Sequence, residues 1–176
     1  MTIDLNTRYE FRTIHQGEGE TAAVIEATCF PPNEACTLPI MKERVRLAAE
    51  CFLVAIAKET KKMVGYIAGI ATYEKNLRDE FFTDTRLHNP QGNYVMILSV
   101  TVLPEHRRQG LAGAMMKEYL RSQKACGRKE AVLTCLESKV GFYKNMGYTD
   151  EGISNSSWGG EAWHEMRYSL ANDEIC

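Results

Sequence analysis

The amino-acid sequence predicts an α+β fold, a mixed sheet of six to seven strands flanked by about four helices, and three observations lead there. Read in chain order, the segments run β-α-α-β-β-β-α-β-α-β-β. This is not the regular alternation of a doubly wound dinucleotide fold. Residues 94–103 (YVMILSVTVL) are apolar on both faces, as a central strand must be. Finally, 176 residues with 44% hydrophobic content can bury one good core but not two, so residues 1–176 read as a single domain.

Each element has its own signal. Residues 8–14 alternate polar and apolar like a first strand, and residues 17–29 space Ala22, Val24, Ile25 and Cys29 as a helix does, until Pro31-Pro32-Asn33 breaks it. A second helix is expected over residues 39–50, with Pro39 in its first turn and Met41, Val45 and Ala48 or Ala49 on one face. Strands follow at 51–57 and 64–72, joined by the polar turn Lys58-Glu59-Thr60-Lys61-Lys62. Residues 73–93 are polar, irregular and long, so they read as a functional or mobile loop; Tyr73, Phe81 and Phe82 could form a lid or anchor that loop to the core. Pro104 ends the central strand. The clearest helix spans 110–125, with Leu111, Ala114, Met115, Met116, Tyr119 and Leu120 in a stripe and Gly127 as a stop. A strand at 131–136 precedes a short helix at 139–146, expected to be capped by Ser138 and ended by Gly147. The last two strands fall near 148–154 and 162–170, around the turn-rich 155–160.

Composition narrows the partners. The formal net charge of −2 gives no single-sign field to draw nucleic acid or an acidic membrane, so small-molecule or peptide partners fit better. No apolar run approaches the roughly 18 residues that span a bilayer. Residues 1–10 are charged and lack the apolar stretch of a secretory signal, so the expected location is the cytoplasm. The six cysteines (Cys29, Cys36, Cys51, Cys126, Cys135, Cys176) are scattered without metal-binding spacing and read as free thiols, with no metal site. Cys135, in an apolar run, reads as a small hydrophobe.

The sharpest feature is Val102-Leu103-Pro104-Glu105-His106-Arg107-Arg108-Gln109-Gly110-Leu111-Ala112-Gly113, where the central strand turns into the best helix. A helix start offers unpaired N–H groups and the positive end of its dipole, which suit phosphate oxygens. Gly110, Ala112 and Gly113 leave that backbone bare, and Arg107 and Arg108 add positive charge. No Lys-Ser/Thr follows the glycine, so the magnesium-nucleotide chemistry of a P-loop is excluded.

The spacing Val102-x-Pro104-x-x-Arg107-x-x-Gly110-x-Ala112 resembles the pyrophosphate-binding signature of the GNAT superfamily of N-acetyltransferases. A second mark, Val140-Gly141-Phe142-Tyr143-Lys144-Asn145-Met146-Gly147-Tyr148, is similar to the segment that closes the cofactor site in that superfamily. Within it the sequence looks most like the arylalkylamine (serotonin) N-acetyltransferases, through Arg108-Gln109-Gly110, Ala131-Val132-Leu133 with Cys135, and Glu165-Met166 before Ser169-Leu170. The resemblance implies a GNAT fold, acetyl-coenzyme A as acyl donor, no metal, a small amine as acceptor and a possible homodimer. By position it implies that the main chain of Val100, Thr101 and Val102 pairs with the pantetheine arm. The turn Arg107, Arg108, Gln109, Gly110, Leu111, Ala112 and Gly113 would hold the diphosphate.

The chemistry implied is attack of an amine on a thioester. At pH 7 only about one alkylamine in 2,500 is neutral, so a base or a water chain must take a proton, and the departing thiolate wants one. By resemblance Tyr143 supplies the second need and also borders the cofactor; its other reading is a core aromatic on a short helix. For the first, vertebrate arylalkylamine enzymes place two histidines where this chain has Met96 and Leu98, neither able to carry a proton. Glu137, at the end of the strand before the tyrosine helix, is the replacement candidate; its other reading is a capping or solvated carboxylate. His164 reads as structural. Phe30, Pro32 and Glu34, between the first two helices, are the expected acceptor-site residues, Glu34 either attracting a cation or standing as a solvated loop carboxylate. A protein N-terminus or lysine as acceptor, a non-catalytic acyl-coenzyme A sensor, and a structural interaction domain are the competing readings.

Overall fold

The computed structural model describes residues 4–171. Its sheet has seven strands in the order β1-β2-β3-β4-β5-β7-β6: β1 (Tyr9–Thr13), β2 (Phe52–Ala57), β3 (Lys62–Thr72), β4 (Tyr94–Val102), β5 (Glu130–Cys135), β6 (Thr149–Ile153) and β7 (His164–Ser169). Neighbours pair antiparallel except β4 and β5, which run parallel. A parallel pair needs a crossover, and helix α5 (Leu111–Ala125) provides it. The other helices of at least nine residues are α2 (Gly19–Cys29), α3 (Leu38–Leu47) and α6 (Glu137–Asn145). Two single turns, α1 (Leu5–Arg8) and α4 (Glu80–Thr83), complete the described helical content apart from short 3₁₀ segments. The α+β fold expected from the sequence is the one observed.

Helices cover both faces of the sheet. On one face, Leu111, Met115, Met116 and Tyr119 of α5 pack with Leu53, Ile67, Val95 and Ile97, and Tyr143 of α6 joins the same cluster. On the other, Ala22 and Ile25 of α2 and Met41 and Val45 of α3 pack on Phe52, Val54 and Tyr66. A third cluster forms where Leu77 and Phe81 of the long 73–93 segment reach Ile70, Met96 and Val132, with Phe82 and Leu98 at its margin.

Several local expectations need correction. Val24 is 67% exposed, because the buried stripe of α2 is Ala22, Ile25 and Glu26, with Cys29 half-buried. A glutamate thus occupies a place the hydrophobic pattern gave to valine. Ser138 does not cap α6: the helix begins at Glu137, and Leu136 holds the capping position without a side-chain bond. The 73–93 segment contains α4 and a 3₁₀ turn at Thr85–Leu87, and it is anchored. Phe81 is fully buried, His88 accepts from the Ala71 amide and bonds Glu50, and Arg128 donates to the carbonyls of Pro90 and Gly92. Tyr73 stays exposed, so Phe81 is the anchor.

Candidate active site

The strands β4 and β5 pair only over Tyr94–Met96 and Glu130–Val132. Beyond that point β5 continues to Cys135 against β7, while β4 continues to Val102 against β3 alone. The two strands therefore part, and from Ile97 onward the β4 edge that faced β5 meets no strand among the described residues. An unpaired strand edge is a row of donors and acceptors for an extended ligand. At the parting point β4 carries a bulge: Ser99 pairs with Ala68 and Ile97 with Gly69, which leaves Leu98 unpaired. Val100 and Val102 lie on the open stretch, and the buried Thr101 turns its hydroxyl to the backbone of Tyr66, so only its main chain can serve.

The open edge leads directly into the expected turn. Gly110 precedes α5 at φ +82°, and Arg108 sits at φ +59°, in the left-handed region a side chain rarely adopts. These two reversals point the local amides outward. The first bond of the helix runs from the Ala114 amide to the Gly110 carbonyl, and the amides of Arg108 to Gly113 donate to no acceptor among the described residues. Arg107, Arg108, Gln109 and Gly110 are exposed, Ala112 and Gly113 partly so, and Leu111 is buried as the helix anchor. Six outward amides at the start of a 15-residue helix, with two exposed arginines, fit a diphosphate. The Arg107 Nε donates to the Val102 carbonyl at 2.8 Å, which holds that guanidinium at the end of the open edge.

Two supports for this turn come from the chain's start and were not foreseen. The Arg8 guanidinium donates to the Gln109 side-chain carbonyl at 2.6 Å, and the Tyr9 hydroxyl lies 2.9 Å from His106 Nδ1. Partners about a hundred positions apart leave no local pattern to read.

Tyr143 lies on α6, nearly buried, edge-on to Phe142 and Tyr148 and close to Cys135 at the end of β5. Burial, and then the Cys135 thiol, pushes its hydroxyl far above the ordinary range. It therefore stays protonated and can only donate or share that proton. No acceptor for it is found among the described residues. Burial likewise holds the thiols up, to about 11 for Cys36 and Cys135 and about 12 for Cys51, so none is a ready thiolate nucleophile. Glu137 is exposed at the first position of α6, with no hydrogen bond or ion pair among the described residues to orient it. His164 pairs with Asp150 at 3.1 Å across β7 and β6, the structural role expected of it.

Three loops meet at the other end of the parting. The α2–α3 connection holds half-buried Phe30, exposed Pro32 and half-buried Glu34. Asn33 donates to the Gly159 carbonyl at 2.9 Å, and the Trp158 indole donates to the Glu34 carbonyl at 3.1 Å. Trp158 in turn stacks on Phe82, ring centroids 4.8 Å apart and planes at 15°. Arg44 of α3 donates to the Phe82 carbonyl at 2.8 Å and fixes that wall from behind. A side chain at Gly159 would meet the Glu34 side chain at 2.6 Å, so the two loops touch only because Gly159, at φ +66°, has none. Burial and then Glu161 raise the Glu34 carboxyl. Sequence reasoning named Glu34 as an acceptor-site residue and Phe82 as part of a lid or anchor; it read Trp158 within the turn-rich 155–160 and gave no role to Glu161.

One group could bring three metal-ligand atoms together among the described residues, Glu50, Cys51 and His88, within 4.8 Å of one another. Both His88 ring nitrogens are already bonded, to the Ala71 amide and to Glu50. The cluster is a loop anchor. No helix among the described residues is long and apolar enough to cross a membrane.

A sequence model of the acetyltransferase (GNAT) family matches residues 20–148, which takes in the parting strands, the amide turn and Tyr143. The chain belongs to this family. Solved structures share the fold at low identity. A GNAT-like decarboxylase, GphF, in complex with isobutyryl-CoA is 15% identical, with TM-score 0.78 and coverage of 92% of this chain and 99% of its own. The ribosomal-protein-S18-alanine N-acetyltransferase of Escherichia coli is 12% identical, with TM-score 0.68 and coverage of 95% and 97%. A phosphinothricin acetyltransferase of Sinorhizobium meliloti in complex with AcCoA is 15% identical, with TM-score 0.66 and coverage of 93% and 89%.

Proposed function

We propose that this GNAT-family protein, read as one domain over residues 1–176, transfers the acetyl group of acetyl-coenzyme A to a small primary amine, an arylalkylamine or a polyamine. The observation that carries the reading is the continuity of the open β4 edge with the outward amides of residues 108–113. An extended arm ending in a diphosphate suits such a track, with Val100, Thr101 and Val102 along the arm and Arg107 to Gly113 at the phosphates.

One ammonium proton is given up, the freed nitrogen electron pair attacks the thioester carbonyl, the N–C bond forms, the C–S bond breaks and a second N–H proton ends on the departing sulfur. Tyr143, held protonated and without another partner, donates to the departing sulfur; a phenol is a weaker acid than a thiol, so its hydrogen bond counts for more than full transfer. Glu137, exposed and without a partner to orient it among the described residues, is a weaker candidate for taking the ammonium proton than a buried carboxylate behind β4. At the acceptor end, Glu34 and Glu161 attract a cation while Phe30, Pro32, Phe82 and Trp158 offer it an apolar wall. Asn33, Trp158 and Phe82 tie the loops together at that end, which supports a small acceptor over a protein N-terminus or lysine.

The reading is tested by thiol release from acetyl-coenzyme A with arylalkylamines, polyamines, amino acids and N-terminal peptides. Preference for a small amine supports it, and preference for the peptides selects the protein-acetylating alternative. Tight coenzyme A binding with no release for any acceptor would select a sensor instead.

A further inference from the structure

The core beneath the acceptor loops holds an ionisable group that the chemistry above does not use. Glu26, on the inner face of α2, is 2% exposed, and three donors converge on its carboxylate. The Ser99 hydroxyl of β4 donates to Oε1 at 3.0 Å, the Cys36 amide of the acceptor loop donates to Oε1 at 3.2 Å, and the Tyr66 hydroxyl of β3 donates to Oε2 in a short bond. No arginine, lysine or histidine forms an ion pair with it among the described residues. A buried carboxylate without an ion pair costs several kcal/mol, and a neutral glutamine of the same shape would avoid most of that cost.

The position of its partner gives the carboxylate a use. Ser99 is the first residue past the unpaired Leu98, three positions from Met96, where β4 and β5 last pair. Ser99 thus borders the bulge, at the start of the stretch where β4 has left β5. An acyl-carrying arm laid in the parting brings its thioester to the apex side of the track. The same loop whose Cys36 amide holds Glu26 carries Glu34, which faces the acceptor.

We infer that Glu26 is the proton sink of the transfer, acting through the hydroxyl of Ser99. In the step, the ammonium N–H bond breaks as its proton passes to Ser99 Oγ, and the Ser99 hydroxyl proton passes to Glu26 Oε1. The nitrogen keeps the electron pair with which it attacks the carbonyl. The proton leaves to solvent after product release, and the count balances: ammonium and acetyl thioester give amide, thiol and one proton. Glu26 is a positioning residue in this scheme: Ser99, itself only 4% exposed and bonded to Glu26, stands between it and the amine. The charged and titratable groups facing Glu26 are Tyr66 from β3, Cys36 from the acceptor loop, Cys29 one turn along α2, and Arg44 of α3, which bears on Tyr66 and Cys36. Among the described residues the Arg44 Nε and Nη1 have no partner, so this cation keeps its positive potential beside the carboxylate's network.

The inference rests on amine acetylation as the activity, and the test separates the two. Wild type, Glu26→Gln and Ser99→Ala are compared with an alkylamine and with a weakly basic amine already neutral at pH 7, alongside melting temperature and acetyl-coenzyme A affinity. General-base loss predicts a drop in kcat of about 100-fold or more with the alkylamine for both variants, a clearly smaller drop with the weakly basic amine, and unchanged affinity for acetyl-coenzyme A. If Glu26→Gln does not fold, Ser99→Ala decides alone. Equal losses with the two amines, or alkylamine turnover kept within about threefold in Ser99→Ala, would overturn the relay while leaving the activity standing. A wild type that acetylates no amine would overturn the activity first.

Discussion

The guanidinium of Arg8 donates to the side-chain carbonyl of Gln109 at 2.6 Å, and the neighbouring Tyr9 hydroxyl meets His106 at 2.9 Å. The turn before α5, which we propose holds the diphosphate, is thereby held from two sides, by its own helix and by residues 8 and 9. Arg8→Ala removes one hydrogen bond, worth about 1 kcal/mol, and should raise KM for acetyl-coenzyme A about fivefold with kcat unchanged. Steady-state kinetics check it.

Gly110 at φ +82° sets the direction of the amides at the start of α5. Gly110→Ala costs about 1–2 kcal/mol in that conformation and turns the amides away, so acetyl-coenzyme A affinity should fall about tenfold or more. Arg107→Ala should also weaken it. Calorimetric titration measures both, and unchanged affinity in the pair would remove the diphosphate from this turn.

Tyr143→Phe deletes a hydroxyl with no partner among the described residues, so melting temperature should hold. A hydrogen bond to a departing thiolate is worth about 1.5–3 kcal/mol, so kcat should drop about 10- to 150-fold with KM little changed. An unaltered kcat would end its role at the leaving sulfur.

Trp158→Ala removes the stack on Phe82 and the bond to the Glu34 carbonyl. Acceptor KM should rise about tenfold while acetyl-coenzyme A affinity stays constant. A change in the cofactor term alone would place Trp158 outside the acceptor wall.

Arg12 grips Glu18 through both terminal nitrogens, at 2.9 and 2.7 Å, and chiefly this bond holds the Glu18 carboxyl below the usual range. A carboxyl lowered on folding stabilises above its unfolded value, near 4.3, and loses that contribution as pH falls through the folded value. Glu18→Gln should therefore cost about 1 kcal/mol or less near pH 7 and nothing near pH 2. Thermal unfolding across that range reads the closing gap.

The fold was legible because the chain's local signals agree with one another: the apolar central strand, Pro104 as its stop and the stripe of α5 all fall where the structure has them. The strand–turn–helix join at residues 102–113, proposed to hold the diphosphate, was legible because its residues are contiguous. What stayed hidden depends on partners distant in sequence. Glu26 reads as an ordinary polar helix residue until Tyr66 and Ser99 are brought over it, and a carboxylate in the stripe broke the pattern that favoured Val24. Trp158 and Glu161 come beside Glu34 only because Gly159 lets their loop close on it.

The most direct test of the account is one reaction in which purified protein, acetyl-coenzyme A and the best amine of the panel are followed for released thiol and for N-acetylated amine together. The account predicts equal amounts of the two products, both lost in Tyr143→Phe and Glu26→Gln in proportion to kcat. Thiol released without acetylated amine, or acetyl-coenzyme A bound tightly with neither product formed, would contradict it.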